Sequence, residues 1–282
     1  MKTSRTWEPY YNRSLPGGSA VNSRVRLVQL SDTHLRAAAG MAGADADAGL
    51  RATLAAVAAR GADALLLTGD LAHDDGAPAY ARLAALLAPL GLPTLCLAGN
   101  HDDPAALAAS ALGVSGGADL GAWRLVLLDS TLPGQSGGAL GAAELDRLDA
   151  ALAAAPRRPA LVALHHPPLA LGSAWIDAIG LAAPERLFAV LARHPQVRAV
   201  VFGHAHQGFA ARIGGIRVLG CPSTCVQFRP RRARFALDPR LPPGARWLDL
   251  YADGRLTTGI LRAAPANSRP DAGAHRYTSR PS

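Results

Sequence analysis

Lysine is almost missing from this chain: Lys2 is the only one, and the rest of the 29 basic side chains are arginines. Aromatic residues are scarce at 5%. No basic stripe is interleaved with them, so nothing resembles a nucleic-acid-binding module. Cysteine is limited to Cys96, Cys221 and Cys225, an odd number in a chain of 282 residues that excludes a disulfide-stapled scaffold. Cys96 falls in the apolar run 93–98 and reads as a core thiol. Cys221 and Cys225 form a lone CxxxC pair, too little for a zinc site without a second pair. No positive-then-apolar signal pattern opens the sequence, and no apolar run reaches transmembrane length. A cytoplasmic location without membrane attachment is therefore expected, and nothing in the sequence sets an oligomeric state.

Hydrophobic residues make up 49% of the chain and charged ones 18%, ample for the core of one large α/β domain or two small ones. Alanine is abundant in 51–60 and 79–90. It favours helix but buries little area, so leucine and valine must carry most of the core energy. The net charge is +8, densest at Arg229, Arg231, Arg232, Arg234 and Arg240. Such a surface can steer an anionic substrate inward; the plainer reading is compositional bias on a solvated loop.

Residues 1–23 read as a flexible leader and 263–282 as a disordered tail, leaving 24–262 as the folded domain. Apolar runs of strand length occur at 25–30, 64–68, 93–98, 123–129, 160–164 and 197–202. Helical spacing occupies 44–60, 78–90, 104–112, 142–154 and 184–193, with Gly61 and Gly91 as stops. From Phe209 the pattern changes to short strands with glycine turns, including a hairpin at Gly214-Gly215 and a two-residue turn at Asp253-Gly254. There is no internal repeat. The alternation predicts a layered α/β domain whose sheet, or pair of sheets, is covered by helices. In such folds ligands bind at the carboxyl ends of the strands.

Polar motifs fall at those ends. The run 25–30 leads into Ser31-Asp32-Thr33-His34, and 64–68 into Gly69-Asp70. The run 93–98 leads into Gly99-Asn100-His101-Asp102, 160–164 into His165-His166-Pro167, and 197–202 into Gly203-His204-Ala205-His206. In extended chain, residues i and i+2 point the same way, so Asp32 with His34, and His204 with His206, can grip cations together. Gly69, Gly99 and Gly203 let the backbone turn and approach closely. Any one motif alone is explained by capping or a turn; five at successive strand ends point to a two-metal site. Oxygen and nitrogen donors without thiolate suit iron or manganese, with zinc also admissible. His73, His194 and His275 lack a partner motif and read as surface or capping residues.

These motifs resemble the signature of the calcineurin-like metallophosphoesterases: D-x-H, G-D, G-N-H-[DE], H and G-H-x-H. The sequence is further similar to bacterial cyclic AMP phosphodiesterases of the CpdA type. That likeness rests on residues 29–35, 68–71, 98–102, 127–130, 222–228 (PSTCVQF) and 252–258, within a resemblance running from about Val25 to Leu261. It implies an α/β/β/α sandwich of two mixed sheets flanked by helices. It assigns Asp32, His34 and His206 to one metal and Asn100, His165 and His204 to the other, bridged by Asp70. His165 is preferred over His166 because it keeps the H-x-P spacing to Pro167. Substrate contacts then fall on His34, Asp70, Asn100, His101 and His206. His101 is the expected proton donor, with Asp102 orienting its ring. Cations about 3.5–4 Å apart lower the pKa of a shared water and neutralise phosphoryl charge. The implied reaction hydrolyses 3′,5′-cyclic AMP to 5′-AMP and lowers intracellular cyclic AMP. A 2′,3′-cyclic nucleotide, a glycerophosphodiester or a lipid-precursor pyrophosphate is the alternative within the superfamily, and a non-catalytic scaffold the alternative outside it.

Overall fold

The computed structural model describes residues 24–36, 45–73 and 76–263. The expected leader and nearly all of the expected tail, including His275, lie outside these residues. Thirteen strands and six α-helices are described, in the order β1 (Arg24–Leu30), α1 (Ala46–Arg60), β2 (Ala64–Thr68), α2 (Ala77–Leu87), β3 (Thr94–Leu97) and α3 (Pro104–Ala109). There follow β4 (Gly117–Leu120), β5 (Trp123–Leu127), β6 (Gly138–Ala139), α4 (Ala142–Ala153), β7 (Ala160–Ala163), α5 (Ala174–Asp177) and β8 (Leu181–Ala182). The described chain closes with α6 (Pro184–Leu191), β9 (Val197–Phe202), β10 (Phe209–Ile213), β11 (Ile216–Gly220), β12 (Gly244–Tyr251) and β13 (Leu256–Arg262).

The strands form two mixed sheets, in the orders β13-β12-β1-β2-β3 and β10-β11-β9-β7-β5-β4, with β6 and β8 as a small separate pair. Strict alternation along the strands builds three apolar layers from them. Leu27, Leu66, Leu97, Leu125, Leu161, Val201, Leu219 and Leu248 meet between the sheets. Their neighbours Val28, Leu65, Leu67 and Cys96 face outward under α1 and α2. On the other side Val126, Val162 and Val200 face Leu145, Leu148, Leu187 and Leu191 of α4 and α6. The result is the expected α/β/β/α order. Strands buried on both faces must be apolar throughout, which is why β2 (ALLLT) and β7 (ALVA) show no polar alternation.

Helix ends follow local chemistry. Asp45 caps α1 by accepting from Ala48 N at 2.9 Å, and Gly61 at φ 77 ends it. The second helix stops three residues short of the expected boundary. Pro89 has no N–H for the helical ladder, so Ala88–Leu90 tightens into a 3-10 turn. The last hairpin closes through Ala252-Asp253-Gly254, one residue longer than expected. Tyr251 N still donates to Arg255 O, and Gly254 takes φ 84.

All five parallel strands of motif-bearing sequence (β1, β2, β3, β7 and β9) open onto one edge of the sandwich. Buried Gln29 ties the two sheets there, donating from Nε2 to Thr68 Oγ1 at 2.9 Å and to Phe202 O at 3.1 Å.

Candidate active site

Seven non-glycine residues have left-handed backbones among the described residues, and five of them are Asp32, His34, Asp70, His204 and His206. Such conformations cost on the order of 1–3 kcal/mol each and persist only where surrounding structure enforces them. Here the enforcing bonds are visible. Asp32 N donates to Gly69 O and His34 N to Asp70 O, while His204 N donates to both oxygens of Asp32 at 3.0 and 3.1 Å. Glycine is required at two points of closest approach: a Cβ on Gly99 would lie 2.2 Å from Asp70 Oδ1, and one on Gly203 would lie 2.1 Å from Ser31 Oγ.

The strain serves convergence. His34 Nε2 and His206 Nε2 face each other at 3.1 Å, with Asp32 Oδ1 3.4 Å from the latter. His165 Nε2 lies 3.1 Å from Asn100 Oδ1, 3.2 Å from His204 Nδ1 and 3.3 Å from Asp70 Oδ1. Asp70 also reaches toward His34, at 3.8 Å, so its carboxylate faces imidazole nitrogens of both halves. The structure therefore gathers all seven expected ligands into one buried cluster.

The tautomers suit cations. Val226 O can only accept, so His206 Nδ1 carries the proton and Nε2 offers a lone pair; Thr68 O imposes the same on His165. Lone pairs and carboxylates aimed at common points are the donor set that a hard or borderline cation needs, and no sulfur enters it. His166 is different. Its Nε2 donates to Ser136 O at 3.2 Å, and its Nδ1 accepts from Ser130 Oγ at 2.8 Å, leaving no lone pair for a metal. This geometry favours His165 as the ligand.

Burial drives His34 and His204 well below the usual imidazole range, keeping both rings neutral. Burial alone would raise the Asp70 carboxyl, but His165, His101 and His34 outweigh it and hold it ionised. His165 moves the other way: burial would lower it, yet Asp70 and Asp32 carry it up to about 9. A proton there answers the same negative field that a cation would answer.

Three expectations need correction. Asp102 does not orient the His101 ring. Its oxygens accept from Leu71 N, Ala72 N, Gly99 N and Tyr80 Oη, so it buttresses the loops on either side of Asp70. The His101 ring instead has Nδ1 3.3 Å from His73 O, and its backbone N donates to Asp70 Oδ1 at 2.9 Å. His73, read from the sequence as a surface or capping residue, lies at the site: its ring stacks on His101 at 4.7 Å and its Nδ1 is 3.1 Å from His34 Nδ1. His194 is buried rather than exposed, bonded to Asp149 of α4 at 2.6 Å. Cys96, Cys221 and Cys225 are all buried.

The segment 222–228 forms the floor. Ser223 Oγ donates to Asp32 O at 2.7 Å, Thr224 N to Ser31 O, and Phe228 stacks on His206 at 3.8 Å.

A two-sheet sandwich with such a cluster at its strand ends defines a class, and the family model for calcineurin-like phosphoesterases matches residues 25–208. The chain belongs to the calcineurin-like metallophosphoesterases. Within that class it is 44% identical to the 3′,5′-cyclic adenosine monophosphate phosphodiesterase CpdA of Pseudomonas aeruginosa, covering 86% of this chain and 92% of the relative. Identity to the Escherichia coli K12 protein of the same name is 38%, covering 92% and 97%. Among solved structures, a dimetal phosphatase from Danio rerio aligns with a TM-score of 0.57 at 16% identity, over 85% of this chain and 99% of that one. That last likeness concerns the fold alone. No helix among the described residues is long and apolar enough to cross a membrane.

Proposed function

We propose that this chain hydrolyses 3′,5′-cyclic AMP to 5′-AMP in the cytoplasm and so lowers intracellular cyclic AMP. The observation carrying this reading is the junction of two features. The buried histidine–carboxylate cluster supplies the chemistry, and the segment 222–228, through which the sequence resembles cyclic AMP phosphodiesterases, packs directly beneath Asp32 and His206. Similarity to the Pseudomonas and Escherichia relatives over more than nine-tenths of their length supports the same substrate.

Asp32, His34 and His206 would hold one metal, Asn100, His165 and His204 the other, and Asp70 both; the donor set favours iron or manganese. When bound, such a pair supplies an activated water and neutralises charge on the phosphoryl oxygens. The protein's part is to place the groups around it. The cyclic phosphate would lie over His34, Asp70, Asn100, His101 and His206. Attack on phosphorus opposite the 3′ oxygen breaks the P–O3′ bond and leaves the phosphate on the 5′ carbon. The carbonyl of His73 faces Nδ1 of His101, so the ring would carry a second proton on Nε2, give it to the departing 3′ oxygen and end neutral.

Turnover of 3′,5′-cyclic AMP, 2′,3′-cyclic AMP and bis(p-nitrophenyl) phosphate by the purified protein tests this. Preference for the first, with 5′-AMP as product, is expected. Hydrolysis of the artificial diester alone would keep the metal site and remove the cyclic AMP assignment.

A further inference from the structure

His73 follows Asp70 by three residues and belongs to no ligand motif, yet its contacts run to two groups of the proposed machinery. Its backbone is fixed first: His73 N donates to Leu35 O at 2.9 Å, beside the Leu35–Ala72 bridge that registers the loop after β1 against the loop after β2. That register places the His73 ring edge-on to His34, with centroids 5.2 Å apart.

The His34 ring is fully buried, and its Nε2 looks into the cluster toward His206 and Asp70. For Nε2 to offer a lone pair, the ring's proton must sit on Nδ1. The atom facing Nδ1 is His73 Nδ1, at 3.1 Å. A ligating histidine holds its tautomer and ring angle through such an acceptor. His206 and His165 use backbone carbonyls for this purpose, whereas His34 uses a side chain. The other half of the same residue serves the proton donor, since His73 O faces His101 Nδ1 and the two rings stack with planes 17° apart.

We propose that His73 is a positioning residue whose imidazole accepts the Nδ1 proton of His34 and whose carbonyl accepts that of His101. One loop residue thereby orients both a metal ligand and the leaving-group acid. The inference rests on the metal assignments made under Proposed function, and it extends them to a residue outside the ligand signature.

The test compares His73→Asn with His73→Phe in the full chain. Asparagine puts an amide oxygen where Nδ1 stood and retains the acceptor. Phenylalanine retains a ring to stack on His101 and has no acceptor; both variants keep the backbone carbonyl. Metal-stripped proteins are titrated with manganese by calorimetry, and melting of the metal-free proteins controls for folding. His73→Phe should weaken manganese binding about tenfold or more, while His73→Asn should remain within a few-fold of the unaltered chain. With manganese saturating, His73→Phe should recover most of its kcat for cyclic AMP. Equal affinity in all three proteins would overturn the proposal, as would an asparagine variant as weak as the phenylalanine one. Three manganese equivalents on the unaltered chain, falling to two in His73→Phe, would also overturn it by making His73 a ligand. Because calorimetry needs no turnover, an unaltered chain that binds two equivalents and leaves cyclic AMP intact would remove the proposed substrate without touching the role of His73.

Discussion

Asp70 faces both halves of the cluster, 3.8 Å from His34 and 3.3 Å from His165. Asp70→Ala is expected to abolish turnover and to lower metal content measured by mass spectrometry; full occupancy in that variant would take Asp70 out of the bridging position. His101→Ala should slow turnover by roughly 10²–10⁴-fold with both metals retained, and an emptied site would instead place His101 among the ligands. His166→Ala leaves the Ser130 hydroxyl without its buried partner and should cost about 1–3 kcal/mol in denaturant unfolding. Manganese stoichiometry should be unchanged by it; a lost equivalent would reverse the choice between His165 and His166. At this scale the candidate ligands are legible because aspartate, asparagine and histidine stand in short patterns after apolar runs. The role of His73 is not legible, because its meaning depends on the loop register that brings it to His34. Asp102 misleads for a related reason: adjacency to His101 suggests a ring partner, but three backbone amides and Tyr80 claim its oxygens.

Between elements, β1 and β12 are joined by a cross-strand ion pair as well as by backbone bonds. Arg26 stands directly opposite Asp249 and binds it through two nitrogens, at 2.6 and 2.9 Å, with Arg24 adding a contact at 3.4 Å. Burial alone would raise the Asp249 carboxyl; the hydrogen bond and charge of Arg26, then Arg24, hold it below the usual carboxylate range. A depressed folded pKa means that the pair's stabilisation is complete above the unfolded value of about 3.9 and is lost as pH falls through the folded value. Asp249→Asn should therefore cost about 1.5–3 kcal/mol at pH 7. The gap in melting temperature should narrow as pH falls below about 4, and a gap independent of pH would rule out the ionised pair as its source. Long elements are legible in the sequence because their apolar runs match buried faces. The strands β4 (GADL), β6 and β8 and the helix α5 are not, because no continuous apolar run or helical spacing marks them. The pairing of β12 against β1 comes from outside the local pattern as well, because some two hundred residues separate the partners.

For the whole molecule, alternating strands and helices announce a layered α/β domain, but the division into two sheets follows only from which faces meet across the middle. The buried Gln29 side chain, bonded to strands of both sheets, marks that junction, and the cluster sits just beyond it. Function at this scale depends on both sheets, because Asp32, His34, Asp70 and Asn100 follow strands of one while His165, His204 and His206 follow strands of the other. We propose that these seven residues form one two-metal site for cyclic AMP. Its most direct test is a manganese titration of the metal-stripped chain with 5′-AMP release followed throughout. No turnover is expected at the start, and activity should appear as the second equivalent binds. Turnover by fully stripped protein, or two bound equivalents with cyclic AMP left intact, would contradict it.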